Sequence, residues 1–260
     1  MATPGTAGDQ GQVLRDYIDL NSLQATWNEG LLILAYHAIE TPPLRHRLPY
    51  LYVDPHKLCA QVRELLAAGA RFVPAAEMTQ TPGRERQVLI TLDDGFQNVF
   101  VNALPIFREL GVPAIAYIVA GQLGGSNVWD RGKGLQERPL MSGAEILEWV
   151  GTGFEIGSHT VTHANLTALS PAEARREIFD SKKILEDLIG QPVRHFCYPY
   201  GRWNGLVRDL VMEAGYGTAC TVDGGYSFPE TDRFALRRVT ARHRYPHAVA
   251  WTGALRSLFS

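Results

Sequence analysis

The chain has 260 residues, 45% of them hydrophobic and 20% charged, with 25 Lys plus Arg against 27 Asp plus Glu and a formal charge of -2. This balance excludes disordered and fibrous classes and provides no broad basic field for nucleic acid. No apolar run reaches the ~18–20 residues of a helical bilayer span, so the expectation is one large domain that is not an integral membrane protein.

In chain order, Met1–Gly11 is polar and Gly-rich, without the basic and apolar regions of a secretory signal, and a cytoplasmic location is expected. Residues 1–29 are expected to be an extension, partly helical over Val13–Leu23 or disordered, ahead of a single domain over 30–260. Leu31–Tyr36 is a continuous apolar run, as in a strand covered on both faces, and it delivers His37 at its end. Asp54-Pro55 reads as an N-cap followed by Pro at the first helical position, with Leu58, Val62, Leu65 and Leu66 on one face. Strands are expected near Arg71–Pro74, Gln87–Leu92 and Pro113–Val119, with a helix over Val101–Leu110. Ser142 with Glu145 and Ser170 with Glu173 have capping-box spacing, each opening a helix, and Phe154–Gly157 between them is a short strand. Val193–Tyr198, Gly217–Thr221 and Leu236–Val239 supply the last strands, with helices near Gly205–Ala214 and Pro246–Leu258.

The alternation of strand and helix predicts an α/β fold: a single-domain, distorted (β/α) barrel of seven parallel strands with outer helices. In such barrels chemistry gathers at the C-terminal ends of the strands. The three cysteines, Cys59, Cys197 and Cys220, are too few and scattered for a disulfide framework and are expected as buried apolar packing.

Three strand ends carry candidate chemistry. Thr91-Leu92-Asp93-Asp94-Gly95 places two carboxylates side by side, an arrangement that needs a cation or a shared proton; the alternative is a plain turn or a capping aspartate. His159 and His163 are four residues apart, a spacing that puts both imidazoles on one side of a helical turn. With one carboxylate they would form a facial site for a divalent metal with open positions for water. Phe196-Cys197-Tyr198-Pro199-Tyr200-Gly201 ends a further strand, as a Pro/Gly turn or as a source of backbone amides for the site. Trp129, Tyr200 and Trp203 are candidates to stack on a sugar ring, against the alternative of core packing, and His46, His56 and His195 read as surface or packing residues.

These segments, in this order, resemble the signature motifs of the polysaccharide deacetylases, carbohydrate esterase family 4, over roughly Leu31 to Val239. The resemblance implies that Asp93 is the catalytic base and that Asp94, His159 and His163 bind one divalent metal ion. Zinc is the first candidate, with Co, Ni and Mn as alternatives. It gives Tyr200 a backbone NH for the oxyanion and makes Pro199 and Gly201, with Trp203, the substrate-binding candidates. The arginine that orients the base in this family is missing, since Cys197 or Tyr198 stands in its place, and Arg237 or Arg238 is the candidate replacement. The family's late Leu-x-His motif, source of its usual general acid, has no clear match near His243 and His247. A Tyr-His strand end found in one branch of the family is matched by Tyr36-His37, making His37 the leading acid candidate, against a core histidine.

The implied function is hydrolysis of the N-acetyl group from an N-acetylated amino sugar in an oligosaccharide, polysaccharide or glycoconjugate precursor. Alternatives are hydrolysis of a non-carbohydrate amide and a catalytically silent sugar-binding module.

Overall fold

The structure, a computed structural model, describes residues 30–41, 51–78, 86–133 and 136–241. The helices expected over Val13–Leu23 and Pro246–Leu258, and His46, His243 and His247, lie outside the described residues. Strand β1 spans Leu32–Tyr36, followed by helix α1 (Pro55–Ala67), β2 (Arg71–Phe72), β3 (Gln87–Leu92), α2 (Leu104–Leu110) and β4 (Ala114–Ile118). Then come α3 (Gly143–Gly151), β5 (Glu155–Ser158), α4 (Pro171–Ile189), β6 (His195–Cys197), α5 (Gly205–Glu213), β7 (Thr218–Gly224) and β8 (Leu236–Thr240).

All the strand pairings are parallel, and β1 bonds to both β8 and β3, which closes the ring β1-β3-β4-β5-β6-β7-β8. This is the expected seven-stranded barrel. The two-residue β2 stands outside the ring, because it occupies the edge of β3 at Gln87–Val88 that β4 takes up from Ile90 onward.

The helix boundaries follow local chemistry. The Asp54 side chain accepts from the His56 amide with Pro55 at the first helical position, and Leu58, Val62 and Leu65 of α1 are buried. Both capping boxes form, at Ser142/Glu145 and Ser170/Glu173, and α4 ends on Gly190 at φ 69°. The helix expected over Val101–Leu110 differs: a wide π-type turn over Val99–Ala103 precedes a shorter α2. Around that turn, Asn98 accepts from the Ile39 amide and Asn102 donates to the Ile39 carbonyl, tying α2 to the loop after β1.

Strands β1, β3, β4 and β6 are buried on both faces, which is why strands such as β1 and β3 read as apolar runs rather than alternating ones. One face packs on the helices, as with Leu34, Ile90 and Ala116. The other fills the barrel, where Ile33, Leu89, Ile115, Tyr117, Cys197, Cys220 and Leu236 form a separate cluster. At the N-terminal end of the barrel His195 is buried, bonded to Thr218 Oγ1 at 2.8 Å and 3.6 Å from Glu155 Oε2, so it is a packing residue with polar partners.

Gly157 lets the barrel close around Tyr117: a Cβ there would lie 2.5 Å from the Tyr117 ring and 2.8 Å from the His195 carbonyl. Gly157→Ala is therefore expected to cost about 1–3 kcal/mol through overpacking, read as a lower midpoint in urea unfolding. An unchanged midpoint would contradict the tight approach.

Candidate active site

The period of two along each strand carries the inward column from apolar to polar residues toward the C-terminal end. On β3, Leu89 lies in the barrel cluster, Thr91 follows two residues on, and Asp93 is the next position of the same parity; all are buried. The Asp93 amide continues the ladder to the Tyr36 carbonyl at 2.9 Å, and the His159 amide does the same to Ile118 at 2.8 Å. Asp94 and Gly95 then turn the chain through two successive left-handed conformations, φ 72° and 73°.

Among the described residues, the only non-glycine positions with positive φ are Asp94, Thr160, His163 and Tyr200. All four belong to the three motif segments, and such conformations cost of order 1–3 kcal/mol each when surroundings impose them. They also correct one expectation: His159 and His163 do not sit on a helical turn. They end a loop in which Thr160 and His163 are left-handed, and this loop, not helical periodicity, brings the two rings together.

The three expected ligands converge. Asp94 Oδ1 lies 3.4 Å from His159 Nε2 and 3.2 Å from His163 Nε2, with all three residues buried. His159 Nδ1 is 2.7 Å from the Cys197 carbonyl, which fixes Nδ1 as the protonated nitrogen of the neutral ring and leaves a lone pair on Nε2. Burial pushes His163 toward its neutral form, although Asp94 opposes this. Burial likewise raises the Asp94 pKa, but the two histidines beside it outweigh that and hold it well below the usual carboxylate range. With Nδ1 protonated in the neutral ring, His159 Nε2 is an acceptor facing the Asp94 oxygen, and a cation between the two would satisfy both. The residues fit a divalent metal of the kind bound by two imidazoles and one carboxylate.

A second grouping, Asp93 with His159 and Cys197, does not fit one. Burial raises the Cys197 thiol well above its usual value, and a thiol ligates as the thiolate. Both Asp93 oxygens are moreover engaged: Arg238 Nη1 donates to Oδ1 and Nη2 to Oδ2, each at 2.8 Å. Arg238 comes from β8 and is 1% exposed; its Nε donates to the Thr221 carbonyl at 2.8 Å and its Nη1 also to Thr91 Oγ1 at 2.9 Å. Its Nη2 lies 3.1 Å from Cys197 Sγ, so Cys197 is part of this polar cluster rather than the purely apolar packing expected. Of the two arginines considered, Arg238 makes the pair and Arg237 is exposed. Burial works to raise the Asp93 pKa, but the Arg238 guanidinium keeps it below the ordinary carboxylate value.

His37 Nε2 stands 3.8 Å from Asp93 Oδ2, at the end of β1 beside the base, and its buried Nδ1 has no partner among the described residues. On the third motif, Tyr200 at φ 59° and Gly201 at φ 65° form a tight turn after β6. A Cβ on Gly201 would meet Val222 Cγ2 at 2.2 Å and Val222 N at 2.7 Å, so contact with β7 already requires glycine there. The Tyr200 ring packs edge-on against His163, with centroids 4.6 Å apart, and Trp129 stacks on the same imidazole at 4.5 Å. Trp203 stacks instead on Tyr198 at 6.2 Å, so of the two tryptophans it is Trp129 that lies against the histidine pair.

The family model for polysaccharide deacetylase matches residues 80–219. The chain is 28% identical over 155 residues to YxkH of Bacillus subtilis, covering 60% of this chain but only 51% of that protein, about half its length. It is 22% identical over 231 residues to the poly-beta-1,6-N-acetyl-D-glucosamine N-deacetylase of Staphylococcus aureus strain MRSA252, covering 80% of this chain and 77% of the relative. Among solved structures, the deacetylase PplD of Streptococcus pyogenes in complex with acetate superposes with a TM-score of 0.69 at 22% identity, covering 82% of this chain and 92% of that one. IcaB from Ammonifex degensii gives a TM-score of 0.70 at 24% identity with the same two coverages, and at these identities the likeness is one of fold. Among the described residues no helix is long and apolar enough to cross a membrane. With more than half of its length on the family model, the chain belongs to the polysaccharide deacetylase family.

Proposed function

We propose that the chain is a metal-dependent hydrolase that removes the N-acetyl group from an N-acetylated amino sugar, with N-acetylglucosamine units of an oligosaccharide or polysaccharide as the leading substrate class. The observation that carries this reading is the buried Asp93 carboxylate, held at both oxygens by Arg238, directly beside the converging Asp94, His159 and His163. The name of the Staphylococcus aureus relative supports the sugar.

Asp94, His159 and His163 would hold the divalent ion, zinc or one of Co, Ni and Mn, which when bound supplies Lewis-acid polarisation of the acyl carbonyl and acidification of water. Asp93, kept ionised and oriented by Arg238, accepts the proton of the attacking water. The backbone NH of Tyr200 donates to the developing oxyanion, a contribution of about 3–4 kcal/mol for a well-placed donor. His37, with Nε2 3.8 Å from Asp93 Oδ2, passes a proton to the leaving amine. Pro199 and Gly201 set the turn that aims Tyr200, while Trp129, Tyr200 and Trp203 supply ring faces for the sugar. The silent-module alternative rests on the missing family arginine and the unmatched late histidine; the Arg238–Asp93 pair answers the first, and His37 beside Asp93 is the proposed answer to the second.

The test is acetate release from β-1,6-linked N-acetylglucosamine oligomers by chelator-treated protein, before and after adding Zn, Co, Ni or Mn. Release that requires added metal is the expected result. Metal uptake without acetate from any such oligomer would overturn the sugar reading and leave a non-carbohydrate amide as the substrate class.

A further inference from the structure

Among the described residues, the amides of Thr160–His163 have no backbone partners; side chains take all four. The Thr160 amide is 3.3 Å from Ser158 Oγ, and the His163 amide donates to Thr160 Oγ1 at 3.0 Å. The two amides between them, Val161 and Thr162, both donate to Glu177 Oε2 at 2.9 Å, and the Thr162 hydroxyl donates to Glu177 Oε1 at 2.7 Å. From the opposite side, the Ala120 and Gly121 amides donate to the Thr160 and Val161 carbonyls at 2.9 and 2.8 Å. The fit there is close, since a Cβ on Gly121 would lie 2.6 Å from the Val161 carbonyl oxygen.

Glu177 has a rigid base. It lies on α4 between Ala174 and Ile178, both buried, and one turn before the buried Ser181, which bonds to Ser158 of β5 at 2.7 Å. Three bonds onto one carboxylate are charge-assisted and roughly twice as strong as neutral ones. They act on the loop that carries two of the four left-handed non-glycine residues, Thr160 and His163. Without that carboxylate, the Val161 and Thr162 amides lose their acceptor, and the segment is held only through the Thr160 and Val161 carbonyls and the Thr160 hydroxyl.

We infer that Glu177 is a positioning residue for the metal pair, its carboxylate clamping Val161–Thr162 so that the Nε2 atoms of His159 and His163 both face Asp94. The inference rests on the metal-dependent reading above. Glu177→Gln keeps the shape but leaves one acceptor oxygen for three donors, and its amide nitrogen opposes them.

The experiment compares wild-type and Glu177→Gln protein, both stripped of metal, by zinc affinity in competition with a chelating dye and by hydrogen exchange at the Val161 and Thr162 amides. The variant is expected to bind zinc ~10- to 100-fold more weakly, in the range of lost outer-shell support. Exchange at the two amides should be faster before any metal is added, with the stripped variant still melting cooperatively and only a few degrees below wild type. Thr162→Ala, which removes only the hydroxyl contact, should give a smaller loss in the same direction and keeps the test open if the first variant folds poorly. Equal zinc affinity and equal exchange in Glu177→Gln would overturn the inference while leaving the metal reading in place. A wild-type protein that takes up no divalent metal would overturn the reading itself, and the inference with it.

Discussion

Asp93→Asn is expected to lower turnover by ~10²- to 10⁴-fold, the range for loss of a positioned general base, while the protein still binds one equivalent of divalent metal. The side chain keeps its size, so the substituted amide still offers one oxygen to the Arg238 fork, but it has no lone pair of useful basicity for the attacking water. The proposed metal triad takes the next residue, which points elsewhere because the chain turns at Asp94 with φ 72°. The proposed base and the proposed ligand are thus adjacent in sequence yet separated by a left-handed step, and the two functions should come apart in one variant. Metal content by elemental analysis and acetate release, measured on the same preparation, check this. Turnover within tenfold of the parent would mean that another group takes the proton, with His37 the first to examine at 3.8 Å from Asp93.

The parts of this site that could be read in the sequence are those whose signal is local. Asp93-Asp94-Gly95 announces itself by two carboxylates before a glycine, and His159–His163 by spacing, whatever backbone lies between. The backbone itself was not legible: a four-residue separation fits one helical turn, and nothing in His-Thr-Val-Thr-His reports that Thr160 and His163 are left-handed. Long-range partners were harder still. Leu236-Arg237-Arg238-Val239 has apolar residues of both parities, because one strand face packs on the barrel interior and the other on helices. Alternation therefore could not say which arginine faces inward. Leu236 belongs to the interior cluster and Val239 to the outer one, which settles it for Arg238. Glu177 carried no signal at all, since a glutamate on a polar-looking helix reads as solvated until the strand-end loop lies against it.

Arg238→Met should destabilise the metal-free protein by about 3–5 kcal/mol at neutral pH, the cost of leaving one partner of a buried ion pair uncompensated. Asp93 would retain a charge with no fork to receive it, and the Thr221 carbonyl and Thr91 hydroxyl would lose a donor as well. The effect has a sign in pH. Burial alone raises the Asp93 pKa and the guanidinium brings it below the ordinary value, so the pair contributes stability above the unfolded carboxylate pKa of ~3.9. That contribution is lost as pH falls through the depressed folded value. The gap between parent and variant should accordingly be widest near neutrality and narrow below about pH 4, as read by urea unfolding of chelated protein at both ends. Arg238→Lys keeps the charge but not the planar fork, and should recover part of the stability while leaving acetate release low, because one ammonium cannot hold both oxygens of the base. Were Arg238→Met as stable as the parent across this range, the pair would be a spectator of the fold. The orientation of Asp93 would then have to come from the strand register that ties its amide to Tyr36.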